Sequence, residues 1–180
     1  YGDNDSYFAP RVWQDMHAQY TAVGGKARRV AFGGFSADAH SMFGLRAGQL
    51  ARPGIFHALG MGIVSSTSVM AALRRIERYS SVVSTNGRFV LLVHDSLASL
   101  ETRRTELTVV PSPEYFDAAI VTICRILRLC AGPSAVPLKV TLPYHGKAPL
   151  EAYREALGCP VEFDAANVAI IFDAQLAARP

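Results

Sequence analysis

The chain has 180 residues, half of them hydrophobic, enough for a sizeable core in one domain. Its net charge is +3 and its charges are scattered, apart from the pairs Arg28-Arg29, Arg74-Arg75 and Arg103-Arg104. Nucleic-acid-binding domains concentrate positive charge on one face, so these residues are not expected to bind DNA themselves. No apolar run approaches the ~18 residues of a membrane span, which excludes a spanning protein.

Charged residues make up 18 %, below the usual proportion, so a partner subunit or a missing domain is expected to cover some apolar surface. Cys124, Cys130 and Cys159 are odd in number and form no C-x-x-C pair, which fits a reducing compartment. The opening Tyr-Gly-Asp-Asn-Asp has neither the basic nor the apolar part of a leader, predicting a cytoplasmic protein, and lacks an initiator Met, predicting a trimmed N-terminus.

In chain order, Pro10 can open a helix over Arg11 to Val23, with Val12, Met16 and Tyr20 on one face and Gly24-Gly25 as its stop. Lys26 to His40 reads as a Gly-containing loop with a short helix running into Phe43. After Arg52-Pro53-Gly54, Ile55 to Ile63 is apolar on all sides, as in a short buried helix. Ser65-Ser66-Thr67-Ser68 then breaks the chain, and Ser66 or Thr67 is the expected N-cap of a helix ending near Arg78-Tyr79. Val69, Leu73, Ile76 and Tyr79 make its inward face.

Ser84-Thr85-Asn86-Gly87 signals a turn. Arg88 to His94 reads as a strand, Asp95 to Glu101 as a connection, and Thr105 to Val110 as the partner strand of a long-looped hairpin. Pro113 opens the longest helix, Pro113 to Ala131, with Glu114 favourable in its first turn and Gly132-Pro133 as its stop. Its stripe is Phe116, Ile120, Ile123, Leu127 and Cys130, and Val121, Cys124 and Leu129 make it apolar nearly all round. Leu138 to Leu142 is a strand, Pro149 to Gly158 a helix, Pro160 to Phe163 and Val168 to Phe172 two strands, and Asp173 the cap of a last short helix. Helices followed by β-β-α-β-α-β-β predict an α+β fold with a mainly antiparallel sheet.

Few residues suggest chemistry. Gly34-Phe35-Ser36-Ala37-Asp38 resembles a nucleophile elbow, but its last Gly is replaced and no sheet precedes it. A small serine hydrolase using Ser36 is therefore the alternative reading, against a helix-capping Ser36. Gly60-Met61-Gly62 mimics a dinucleotide motif but follows a helix, so close packing accounts for both glycines. The five histidines show no ligand spacing, so no metal and no cofactor are expected. Glu114 and Asp117 share a helix face, which a solvated helix start explains. His57, beside Phe56 in an apolar helix, needs a polar partner if buried.

Phe43-Gly44-Leu45-Arg46-Ala47-Gly48, Arg52-Pro53-Gly54, Leu59-Gly60, Ser65-Ser66 and Ala71-Ala72-Leu73-Arg74-Arg75 through Arg78-Tyr79 occur in an order and spacing that resemble a known family. Leu157-Gly158-Cys159-Pro160-Val161-Glu162-Phe163 and Ala169-Ile170-Ile171-Phe172-Asp173 extend the likeness. The family is the N-terminal, arabinose-binding-like effector domain of AraC-type bacterial transcription regulators. The resemblance implies one effector-binding and dimerisation domain over residues 1–180: an N-terminal helix and loop to 42, a helix pair over 43–84, and an α+β part over 85–180. It also implies a small-molecule effector, a homodimer, no enzymatic activity, and DNA contact only through a C-terminal helix-turn-helix part that this chain lacks. A ligand-free structural dimerisation module is the third reading. The family supplies no motif for ligand contacts. The expected contacts, Phe56, His57, Met61, Tyr79, Tyr115 and Phe116, follow instead from where the helix pair could meet the sheet.

Overall fold

A computed structural model describes residues 42–83, 87–104 and 112–179. The predicted helix over 11–23, the Gly-containing loop with Ser36, most of the turn at 84–87 and the strand predicted over 105–110 lie outside these residues. So do the side chains of Phe56 and His57.

Helix α1, Phe43–Leu50, is followed by a 3-10 turn, Pro53–Phe56, and helix α2, His57–Val64. Helix α3 spans Val69–Val83, and strands β1, Gly87–His94, and β2, Leu97–Arg104, form a hairpin. Helix α4, Pro113–Ala131, is the longest element. Strand β3 is Lys139–Thr141, helix α5 Leu150–Leu157, strand β4 Val161–Glu162, strand β5 Ala169–Asp173 and helix α6 Ala174–Ala178. The sheet order is β1-β2-β5-β3-β4, antiparallel except for the parallel β3–β4 pair. This is the expected α+β arrangement.

One face of the sheet carries the core. Ala98, Leu100, Val140, Ile170 and Phe172 stand on it and join Leu73, Ile76, Ile120 and Leu127 of the helices in one buried cluster. Leu92 and Leu97, on the opposite face, are exposed. The alternation of side chains along a strand accounts for the split.

The hairpin corrects the expected connection over Asp95 to Glu101. Residues 97–104 are strand, and the turn is only Asp95–Ser96, with Asp95 at φ 52°. Aspartate tolerates that left-handed conformation better than most residues. Leu91 pairs with Leu100 and Val93 with Ala98, so the register buries the small Ala98 that hid the alternation.

The joint also differs in detail. Ser68, rather than Ser66 or Thr67, caps α3, its Oγ accepting from the Ala71 N–H at 3.1 Å. Ser65 and Ser66 bond back to the Gly62 carbonyl, which also accepts from the Arg75 guanidinium, and Arg75 reaches Ser66 Oγ at 2.9 Å. Gly62 therefore contributes its carbonyl; the space where its Cβ would stand is open, so packing does not explain it. Helix α2 is not buried all round either, since Met61 is 60 % exposed.

Helix α3 runs past Tyr79, which is exposed, and its C-terminal half meets the sheet through polar side chains. Ser80 Oγ accepts from the Phe89 N–H at 3.2 Å and Glu77 Oε1 from the Leu91 N–H at 2.8 Å. These donors lie on the side of β1 that has no neighbouring strand among the described residues. Unpaired edge donors attract other chains, and here two are occupied. Ser80→Ala is expected to cost about 1 kcal/mol and to speed hydrogen exchange at Phe89, because a partly buried donor loses its acceptor. Urea unfolding with amide exchange checks this.

Candidate functional site

Helix α4 starts with Ser112 as N-cap, its Oγ accepting from the Tyr115 N–H at 3.4 Å, and with Pro113 at its first position. Its stripe is buried at Ile120, Ile123 and Leu127, but Leu129 is exposed, so the helix, though apolar nearly all round, is not buried all round. The first turn differs more. Glu114 and Asp117, expected at a solvated helix start, are each 3 % exposed. They belong to the helix face that continues through Val121 and Cys124, both buried.

Three elements cover this face. Helix α1 crosses it with Gly44 and Gly48, four residues apart and so on one side of the helix. A Cβ on Gly44 would stand 2.5 Å from the Glu114 carbonyl oxygen and 2.7 Å from Asp117 Cβ. On Gly48 it would stand 2.6 Å from Val121 Cβ. The segment after β3 supplies Tyr144 and Lys147, and α5 supplies Tyr153.

Asp117 accepts from two hydroxyls, Tyr144 Oη to Oδ1 at 2.8 Å and Tyr153 Oη to Oδ2 at 2.8 Å. The Tyr144 hydroxyl is also 3.1 Å from the Pro113 carbonyl oxygen. Burial pushes the Asp117 carboxyl up to about 6; the two tyrosine hydrogen bonds oppose that rise, and the nearby Glu114 charge adds to it. The same burial, with the Asp117 charge, raises both tyrosines far above their ordinary value, so they remain donors. Glu114 Oε1 pairs with the Lys147 ammonium, whereas Glu114 Oε2 is buried and has no hydrogen-bond partner among the described residues. Two buried carboxylates thus share one cation.

Aromatic rings adjoin the cluster. Phe116 stacks with Tyr144 at 6.4 Å between centroids, and Tyr115 meets Phe116 edge-on at 5.6 Å. Of the expected contacts, Tyr115 and Phe116 therefore lie beside the buried carboxylates. Met61 lies on the outer side of α2, and Tyr79, 43 % exposed, faces the Arg78 guanidinium at 5.7 Å. Sequence reasoning passed over Tyr144, Lys147 and Tyr153 and placed Asp117 in solvent. The available signal was the apolar continuation of the Glu114–Asp117 face. Among the described residues, no three His, Cys, Asp or Glu side chains converge as a metal site, and no helix is long and apolar enough to cross a membrane.

No curated protein matches the chain. Among solved structures its fold is similar to that of the transcriptional regulator CdpR from Pseudomonas aeruginosa, with a TM-score of 0.68 and 14 % sequence identity. The match covers 92 % of this chain and 55 % of that one, so the chain spans about half the length of that regulator. Residues 18–180 match the family described as the arabinose-binding domain of AraC transcription regulators, N-terminal, and the chain belongs to that family.

Proposed function

We propose that this chain is the effector-sensing and dimerisation domain of an AraC-type transcription regulator of a bacterial cytoplasm, acting on DNA through a C-terminal helix-turn-helix part. The family match over residues 18–180 carries this reading. The likeness in fold to a regulator of which the chain spans 55 % supports it. Family membership favours it over the serine hydrolase that Ser36 suggested. A small-molecule effector acts by binding one of two arrangements more tightly, and only that difference in affinity can shift their populations.

The proposed contacts fall into two groups. Tyr115 and Phe116 border the buried carboxylates, while Phe56, His57, Met61 and Tyr79 belong to the helical segments on either side of the serine joint. The full-length regulator is expected to bind its promoter with an effector-dependent affinity. Residues 1–180 alone are expected to form a dimer in sedimentation and to leave promoter DNA unbound. Specific DNA binding by residues 1–180 would contradict the reading. His57→Ala and Tyr79→Ala are expected to weaken the effector response while leaving the dimer intact; an unchanged dose-response in a promoter reporter would place the effector elsewhere.

A further inference from the structure

We infer, resting on the sensor reading above, that Glu114 anchors a cationic effector, a small amine whose N–H groups donate to Glu114 Oε2. Four observations lead there. Among the described residues Oε2, a buried carboxylate oxygen, has no hydrogen-bond partner, whereas buried polar atoms in folded proteins are nearly always paired. Its side chain is 4 % exposed, so bulk water does not satisfy it. Among the described residues the cluster sets two carboxyl groups, Glu114 and Asp117, against one cation, Lys147. The hydroxyls of Tyr144 and Tyr153 serve Asp117 rather than Glu114 Oε2.

A ligand that supplies both a positive charge and N–H donors corrects the two deficits together. A neutral ligand corrects only the missing hydrogen bond, and an anion worsens the charge. Charge-assisted hydrogen bonds to a carboxylate are about twice as strong as neutral ones.

Lys147 already shows how such a group is held. Its side chain is 40 % exposed and reaches inward to Glu114 Oε1, so its ammonium is a resident cation on the carboxylate. An amine on Oε2 would stand beside this like charge on Oε1 and be repelled by it. Removing Lys147 should therefore strengthen amine binding, whereas a purely structural ion pair predicts no gain.

Isothermal titration of the full chain tests this with n-butylamine and putrescine as probes. Tetramethylammonium is the control without N–H, butanol the neutral control and butyrate the anionic one. One of the two amines is expected to saturate a single site, with tetramethylammonium about tenfold or more weaker and the other controls silent. Glu114→Gln is expected to weaken the amine by about tenfold or more, and Lys147→Met to tighten it. Circular dichroism and thermal melting establish that both variants fold. If Glu114→Gln fails to fold, the direction of the Lys147→Met effect decides. No saturation by either amine, equal binding to Glu114→Gln, or unchanged or weaker binding to Lys147→Met overturns the inference. A regulator that ignores amines yet answers a neutral or anionic compound at its promoter loses the cation anchor and keeps its role as a sensor.

Discussion

Gly44→Ala is expected to destabilise the domain by about 2–3 kcal/mol, although alanine is the better helix former. In a helix interior that preference alone would give a gain of about 1 kcal/mol. The opposing effect is steric. The new Cβ would stand 2.5 Å from the Glu114 carbonyl oxygen and 2.7 Å from Asp117 Cβ. A backbone oxygen cannot turn aside as a flexible side chain can, so α1 must move off α4, and Phe43, Leu45 and Ala47, all buried, would loosen with it. Gly44→Val should exceed the loss and leave little folded protein, since native stability is only about 5–15 kcal/mol. Gly62→Ala is the control. Its Cβ enters open space, so the same exchange in α2 should be neutral or stabilise by up to about 1 kcal/mol. Opposite signs at the two glycines, read as urea midpoints, are the expected result; stabilisation at both would mean that the helices do not cross this closely.

Asp117→Asn is expected to flatten the acid limb of the pH–stability profile. The folded-state value, about 6, lies above the 3.8 of the free side chain. Between those values the folded protein holds a proton that the unfolded chain releases. Stability due to this group is therefore fully present below about pH 4, declines as pH rises, and is lost above about pH 6. A difference of about two pH units corresponds to about 3 kcal/mol. The direction is opposite to that of a salt-bridged carboxylate. The hydrogen bonds give a structural reason why the protonated form fits. A proton on Oδ1 can be donated to the Tyr144 oxygen, leaving the Tyr144 hydroxyl free to donate to the Pro113 carbonyl. Subtracting the variant's pH profile from that of the parent should leave a falling step centred near pH 5. A difference that rises with pH would mean that Asp117 is held ionised.

Local chemistry made some elements easy to read. Pro113, Glu114 and the Gly132-Pro133 stop mark both ends of α4, and Asp173 caps α6 by accepting from Gln175 and Leu176. Residues whose environment is built by distant parts of the chain were harder. Ala98 looks neutral in a sequence, yet a strand on each side makes it core. Glu114 and Asp117 carry the marks of a wet helix start, and only the arrival of Gly44, Lys147, Tyr144 and Tyr153 turns that start inward. Tyr79 continues the apolar stripe of α3, but the helix instead turns Glu77 and Ser80 to the strand beside it. The glycine spacing in 43–48 carries the family likeness, but its physical purpose, a close helix crossing, depends on a partner helix about 70 residues further along the chain.

The bonds from Glu77 and Ser80 to β1 also restrict how copies of this protein can join. Strand exchange or sheet extension through Phe89 and Leu91 would require a second copy to compete with side chains of the same molecule for those amides. At the far border of the sheet, β4 offers only Val161–Glu162. A continuous ribbon running from one copy into the next is thus disfavoured at both margins. A symmetric pair would instead meet through helices or through the sheet face that carries Leu92 and Leu97, which would leave the strand register of each copy unaltered.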